Sequence, residues 1–145
     1  MTRTMDILLQ HGRALEWLTS SILLGFAVTL MMPGETLREI PAFSVLAGAG
    51  LTDAMMAGLL GMIAAGRMAG LYINGAWRRS PRLRQIGSLM SAPMFGALGA
   101  APLAAFWLGH AHVLSTGAMT YLLLACADIL AAYRSSADAA AAPKY

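Results

Sequence analysis

The chain has 145 residues, of which 58% are hydrophobic and only 12% are charged, and its formal net charge at pH 7 is +3. Soluble domains usually carry about 25% charged residues, and a mean hydropathy of +0.63 also points away from that class. One membrane-spanning helix needs about 20 apolar residues, so a chain of this length with several spans has no room for a sizeable soluble domain. The composition therefore predicts an all-α polytopic membrane protein.

The cysteine and arginine content excludes two other classes. The single cysteine, Cys126, lies in an apolar run, so no disulfide framework can form within one chain. A pI near 9.5 would suggest a nucleic-acid partner in a soluble protein, but here the arginines stand near the ends of apolar segments. We expect these arginines to set membrane topology, and we predict no nucleic-acid partner.

The first predicted span covers about residues 14–32 and ends at Pro33-Gly34, because proline cannot continue a helix and glycine suits its terminus. A short apolar stretch around Phe43 then predicts an interfacial segment, since it is too brief to cross a bilayer. Thr36 and Glu39 have the spacing of a capping box. Alternatively, Pro41 itself takes the first position of a helix.

Three more spans complete a predicted four-transmembrane-helix bundle. The second covers about residues 52–73, with Thr52 as its cap and Asp53 at its positive end. The third covers about 82–108 and contains Pro93 and Pro102, which membrane helices tolerate with kinks. The fourth covers about 116–133. Residues 1–134 are thus expected to form a single transmembrane domain, and residues 135–145 a flexible cytoplasmic tail.

The basic residues predict one orientation. If both termini are cytoplasmic, only Arg38 lies on the outer side, and all the other basic residues lie inside: Arg3, Arg13, Arg67, Arg78, Arg79, Arg82, Arg84, Arg134 and Lys144. Lysine and arginine are enriched in cytoplasmic loops because they resist translocation. We therefore expect a bacterial inner-membrane protein with its N-terminus and C-terminus in the cytoplasm.

Small residues recur at four-residue spacing in the second and third predicted spans. In lipid, helices associate through close backbone contact, which small residues permit. The pattern predicts tight contact between these two spans, and such surfaces also build oligomers. The predicted packing residues are Gly61, Gly66 and Gly70 in the second span, and Ala92, Gly96 and Ala100 in the third.

Two charged residues inside the predicted spans, Arg67 and Asp128, lie at similar depths from the inner side. An isolated charge at the centre of a membrane costs about 2.5–3.5 kcal/mol on insertion scales, so we predict a structural ion pair. Two alternatives remain open, namely that Arg67 extends to lipid headgroups or that the pair serves a proton or ion relay. Glu16 could pair with Arg13 or with the basic cluster between residues 78 and 84.

That basic cluster contains four arginines within seven residues. Its first role is to set topology. Arginines next to a span also attract anionic lipids, so the bilayer and its anionic headgroups are predicted partners of Arg78, Arg79, Arg82 and Arg84.

No cofactor or metal site is predicted. His110 and His112 are weak metal candidates, because two imidazoles can bind copper or zinc, but no third ligand is close in the sequence. The sequence has no Gly-rich phosphate loop, zinc-protease motif or nucleophile elbow. We therefore expect a protein that is not an enzyme.

Residues 67–84 resemble a pattern in small polytopic membrane proteins encoded by phages and prophages of proteobacteria. The residues that carry the resemblance are Arg67-x-x-x-Leu71-Tyr72-Ile73-Asn74-Gly75-x-Trp77-Arg78-Arg79-Ser80-Pro81-x-x-Arg84. The resemblance implies a polytopic membrane protein but no settled activity, although some such proteins are labelled holin-like. The charge inside the second span and the prolines of the third depart from a plain holin pattern.

Three functions fit these observations. The leading hypothesis is a non-enzymatic protein of the inner membrane that acts by assembly, in its sharpest version a holin-like one of phage or prophage type. The alternative is an accessory subunit of a larger respiratory or photosynthetic membrane complex. A small transporter or channel comes third, because the charged residues in the spans are too sparse to draw a polar path. The partner is accordingly a second copy of the chain or another membrane protein.

Overall fold

The computed structural model describes residues 13–76 and 81–141, and within these ranges every regular element is helical. The predicted all-α class is therefore confirmed. A 3₁₀ turn, Pro41–Phe43, lies between two short helices. The helices are α1 (Arg13–Leu30), α2 (Thr36–Glu39), α3 (Ser44–Gly48), α4 (Asp53–Ala76), α5 (Pro81–Trp107) and α6 (Gly117–Ala141).

The long helices α1, α4, α5 and α6 coincide with the predicted spans, but they differ in their capacity to cross a membrane. Among the described residues, two segments are long and apolar enough, Asp53–Ile73 in α4 and Arg82–Trp107 in α5. The apolar part of α1, Ala14–Leu30, is shorter. Length and hydropathy alone thus support two spans rather than the predicted four.

The long helices run antiparallel and give the bundle two distinct ends. Glu16 near the start of α1 contacts Arg84 near the start of α5, and we name the end that holds these residues the ionic end. The opposite end carries α2, the 3₁₀ turn and α3, and we name it the cap end. α1 and α5 therefore run from the ionic end to the cap end, and α4 and α6 run back.

Apolar packing is concentrated towards the cap end. The Phe26 ring of α1 meets Phe43 of the 3₁₀ turn and Tyr121 of α6 edge to face, with ring centroids 5.9 and 5.8 Å apart. Such T-shaped pairs are favourable because the positive edge of one ring meets the negative face of the other. Fully or almost fully buried side chains surround these rings, among them Leu23, Leu37, Leu60, Phe95 and Leu98.

Local interactions explain how the cap segment forms. Pro41 opens the 3₁₀ turn, which agrees with the alternative placement of this proline at the start of a helix. The capping box predicted from Thr36 and Glu39 is not formed. Instead, the Asp53 carboxylate accepts hydrogen bonds from the backbone N–H groups of Thr36 and Leu37, at 2.6 and 3.0 Å. One acidic side chain at the start of α4 thus also satisfies the first turn of α2.

The start of α4 itself is capped as predicted. The Thr52 hydroxyl accepts a hydrogen bond from the Met55 N–H at 3.2 Å, which satisfies one of the backbone donors left free at a helix N-terminus.

The predicted tight contact between the second and third spans is wrong, because each of these helices packs mainly against a different helix. Helix α4 packs mainly against α1, and α5 packs mainly against α6. A Cβ built on Gly61 would meet Ala27 of α1 at 3.7 Å, whereas one built on Gly66, Gly70 or Gly96 would meet nothing within 4 Å. Of the two predicted alanines, Ala92 is buried and Ala100 is exposed. Four-residue spacing identifies a helix face but not the helix that covers it.

The closest helix approach involves a glycine that the pattern did not select. A Cβ built on Gly99 of α5 would lie 2.8 Å from Leu122 Cγ and 3.0 Å from the Ala118 carbonyl oxygen, both on α6. Only a residue without a side chain permits this spacing.

Helix α6 is longer than predicted. It continues to Ala141, so residues 135–141 of the expected tail are helical, and Ser135 is fully buried. The last four residues, 142–145, lie outside the described residues.

Candidate functional site

The interior of the ionic end is organised around Arg67 of α4 and Asp128 of α6. Arg67 Nη1 donates to Asp128 Oδ2 at 2.7 Å, and Nη2 donates to Oδ1 at 2.6 Å. The two side chains are only 3% and 1% exposed. The structure thus joins the two residues that the sequence predicts as an ion pair, in the bidentate geometry that is strongest for arginine and carboxylate.

Hydroxyl groups from two further helices complete this network. Arg67 also donates to Ser91 Oγ at 2.6 Å and to Ser88 Oγ at 3.3 Å, both on α5. Thr19 of α1 donates to Asp128 Oδ1 at 3.1 Å, and Ser91 Oγ lies within hydrogen-bond distance of Oδ2. All five residues are buried. A single ion pair therefore contacts all four long helices, and we name these residues the Arg67 network.

A second ion pair lies nearer the starts of α1 and α5. Arg84 Nε is 3.1 Å from both carboxylate oxygens of Glu16, and Nη2 also donates to Oε1. The Glu16 side chain is 3% exposed and that of Arg84 is 11% exposed. Of the two partners expected for Glu16, the structure therefore selects the basic cluster. The position of Arg13's side chain lies outside the described residues.

Helix geometry explains why these groups meet. Glu16 and Thr19 are three residues apart on α1, as are Ser88 and Ser91 on α5, and residues with this spacing share a helix face. The Thr19 hydroxyl, which reaches Asp128, also lies 3.2 Å from the Glu16 carbonyl oxygen. Thr19 therefore lies between the two ion pairs and contacts a residue of each. Sequence reasoning identified the two charges in mid-span but missed the hydroxyls, although the serine and threonine positions at helical spacing carried the signal.

The geometry excludes one of the two alternatives for Arg67. Its guanidinium is buried and bound to Asp128, so it does not extend to lipid headgroups. Both buried acids in the described interior, Glu16 and Asp128, have an arginine partner. Such an arrangement compensates the cost of burying each charge and fixes the relative positions of the helices.

The predicted headgroup arginines separate into two kinds. Arg82 is exposed, whereas Arg84 turns inward to Glu16. The expectation that Arg84 binds lipid is therefore wrong, because a buried carboxylate competes for its guanidinium. Arg78 and Arg79 lie outside the described residues.

The histidines do not form a metal site in the described part of the chain. His110 Nδ1 is 3.2 Å from Ser44 Oγ, and both His110 and His112 are exposed in the turn between α5 and α6. No group of three or more potential metal ligands lies together in the regions that the structure covers. Gly109, with φ of +77°, makes this turn possible.

Comparison with known proteins adds no relative. No protein-family model matches the chain, and neither a curated protein nor a solved structure is significantly similar to it.

Proposed function

We propose that this chain is a four-span protein of the bacterial inner membrane, with both termini cytoplasmic, that acts by assembly with other membrane helices rather than by catalysis. The sharpest version of the proposal is a holin-like protein of phage or prophage type, which permeabilises the membrane once enough copies have assembled.

The observation that carries this proposal is a large apolar surface around an interior that is partly ionic. The bundle buries charged and hydroxyl side chains at the ionic end, while large apolar side chains cover its surface. Soluble monomers rarely expose contiguous apolar patches above a few hundred Å² (about 300–600 Å² at most). Each long helix contributes to the apolar surface: Leu18 and Val28 in α1, Met62 in α4, Leu89 and Met90 in α5, and Leu123 and Leu130 in α6.

The same distribution supports α1 and α6 as spans, although simple hydropathy does not select them. The 18 residues of α1 extend about 27 Å at 1.5 Å per residue, close to the ~30 Å of the hydrocarbon core. Hydropathy is lowered in α6 by Asp128, yet this residue faces inward to Arg67, while Leu123 is 67% exposed. The charge is therefore hidden from lipid, and the lipid-facing side of α6 is apolar.

The paired interior favours assembly over transport through a single copy. In the described interior, the carboxylates of Glu16 and Asp128 are held by arginines, and the apolar core fills the cap end. Any ion path would then have to form between copies, as expected of a protein that permeabilises membranes only after oligomerising. The accessory-subunit alternative shares this sealed interior and differs in its partner.

Topology is the first measurement that tests the proposal. A reporter fused after Tyr145 should be cytoplasmic, and the same reporter inserted after His110, at the cap end, should be periplasmic. Both fusions carry the same reporter, so each controls for the expression of the other. A periplasmic reporter after Tyr145, or a chain that stays in solution without detergent, would contradict the four-span proposal.

Induced expression then separates the functional versions. A sudden loss of membrane potential above a threshold amount of protein, with self-crosslinked oligomers in the membrane, supports the holin-like version. Harmless accumulation contradicts that version, and co-purification at fixed stoichiometry with a larger membrane complex would identify an accessory subunit instead.

A further inference from the structure

An open groove of about 370 Å³ runs along the outside of the bundle between α4 and α5. We name it the α4–α5 groove. Its walls are mostly apolar, although Arg67 also lines it. The apolar side chains are those of Leu59, Met62 and Ile63 of α4 and of Leu83, Ile86 and Met90 of α5. Most of these side chains are exposed, with Met62 the most exposed at 70%. The groove is therefore open to the bilayer that the proposed function places around the protein.

Glycines and unequal helix contacts create the groove. Gly66 and Gly70 line it on α4, and nothing lies within 4 Å of a Cβ built on either of them. Helices α4 and α5 each pack mainly on another helix, and between them the Arg67 network is the main polar connection. The two helices are joined in the interior, but the glycines leave space between them at the surface, and this space is the groove.

The groove has the direction and the length of a lipid chain. From Leu59 to Gly70 it follows eleven residues of α4, which is about 16 Å along the bundle axis and close to half of the ~30 Å hydrocarbon core. In the proposed orientation, this axis is close to the membrane normal, and the groove extends from the ionic end towards mid-membrane. An acyl chain of the inner leaflet lies along the same direction.

An exposed cation lies next to the end of the groove. Arg82 is exposed and precedes Ile86 by one helical turn, so both residues share the face of α5 that leads into the groove. Of the neighbouring arginines that the structure describes, Arg67 binds Asp128 and Arg84 binds Glu16. An apolar groove beside an exposed arginine is complementary to an amphiphile with an anionic head.

We propose that the α4–α5 groove binds one acyl chain of an anionic phospholipid, whose phosphate pairs with Arg82. This inference rests on the proposed membrane location, and it goes beyond it by naming a lipid class and a site. Basic pockets between membrane helices on the cytoplasmic side are known to select anionic headgroups, and each basic residue contributes about 1 kcal/mol.

The test compares two lipids with identical acyl chains, phosphatidylglycerol and phosphatidylcholine, titrated onto detergent-purified full-length protein and counted by native mass spectrometry. We expect phosphatidylglycerol to bind about fivefold more tightly, the ratio that corresponds to about 1 kcal/mol for a single arginine. Arg82→Gln should abolish the preference but retain binding of both lipids. Gly70→Leu, which fills the groove, should weaken both.

Two matched variants control for general effects of charge and size. Arg38→Gln removes an exposed arginine at the cap end. Gly96→Leu adds a leucine outside the groove, at a position on α5 where a Cβ meets nothing within 4 Å. Neither should change lipid binding. Equal affinity for both lipids, or unchanged binding in Gly70→Leu, would overturn the inference.

The other possible occupant is a second copy of the chain. If Gly70→Leu converts a dimer to a monomer in light scattering without changing lipid binding, the groove is a protein interface and the lipid proposal is wrong. These failures differ from failure of the proposed function, which would appear earlier as a chain that needs no detergent to stay in solution.

Discussion

The two ends of the bundle are held together by different interactions. At the cap end, aromatic and aliphatic side chains such as Phe26, Phe43 and Phe95 interlock under the short helices α2 and α3. At the ionic end, the Arg67 network and the Glu16–Arg84 pair connect the same four long helices through charges and hydroxyls. One bundle thus combines an apolar core at one end with a hydrogen-bonded ionic core at the other.

In the proposed membrane location, the difference follows from what each interaction can specify in lipid. Apolar packing between helices gains little from the hydrophobic effect there, because lipid tails are as apolar as leucine, and many arrangements pack similarly well. A bidentate pair between Arg67 and Asp128 forms in one arrangement only, and any other leaves a charge in hydrocarbon. We infer that the ionic end selects the helix arrangement, while the cap end adds close packing to it.

The most damaging change should be Asp128→Asn, which keeps the shape of the side chain but leaves Arg67 buried without a counter-charge. Breaking one partner of a buried pair costs about 3–5 kcal/mol. We expect a loss of this size in unfolding by SDS in mixed micelles, or no folded protein at all.

A double variant tests whether the Arg67–Asp128 pair selects the helix arrangement or also stabilises the bundle. Arg67→Met combined with Asp128→Leu removes both charges, and replacing a whole buried pair with apolar residues is often neutral. The hydroxyls keep backbone acceptors, since Thr19 also reaches the Glu16 carbonyl and Ser91 that of Gly87. We expect stability within about 1 kcal/mol of the native chain. A double variant as unstable as Asp128→Asn would show that the pair stabilises the bundle in its own right.

An intermediate effect is expected at the helix contact near the cap end, from Gly99→Leu. A Cβ here would already lie 2.8 Å from Leu122 and 3.0 Å from a backbone oxygen, which cannot rotate away. Overpacking of this kind costs about 1–3 kcal/mol. The same mixed-micelle unfolding measures it.

The matched control is Gly96→Leu, on the same helix, where nothing lies within 4 Å of the position of Cβ. It should unfold at the same SDS fraction as the native chain. If Gly96→Leu were the more damaging of the two, the predicted packing stripe rather than the observed contact would be the correct interface.

Much of this architecture can be predicted from the sequence, because long apolar segments, prolines and caps act locally. The boundaries of α1, α4 and α5 differ from the predicted spans by no more than a few residues, and Thr52 caps α4 as its position suggests. The Arg67–Asp128 pair also follows from the sequence, since two opposite charges inside predicted apolar spans have few other partners.

The sequence does not determine which helix faces contact each other. Regular four-residue spacing selected Gly96, whereas the close contact uses Gly99, three residues further along α5. Likewise, the basic cluster suggested four equivalent arginines, but Arg84 turns inward because α1 places Glu16 opposite it. Helix rotation and neighbour choice come from the packing of the whole bundle, which a single segment does not encode.

The smallest effect is expected where the cap segment joins the bundle, at Asp53. Its carboxylate accepts the Thr36 and Leu37 N–H groups at 2.6 and 3.0 Å, and removing such a cap costs about 1 kcal/mol. In Asp53→Ala, hydrogen exchange at Thr36 and Leu37 should accelerate about fivefold, while exchange around Asp128 should stay unchanged. Asp53→Asn retains an acceptor oxygen, so its exchange rate at Thr36 and Leu37 should lie between those of the native chain and Asp53→Ala. Faster exchange at both ends would show that cap and ionic ends unfold as one unit, and the separation of their roles would then be wrong.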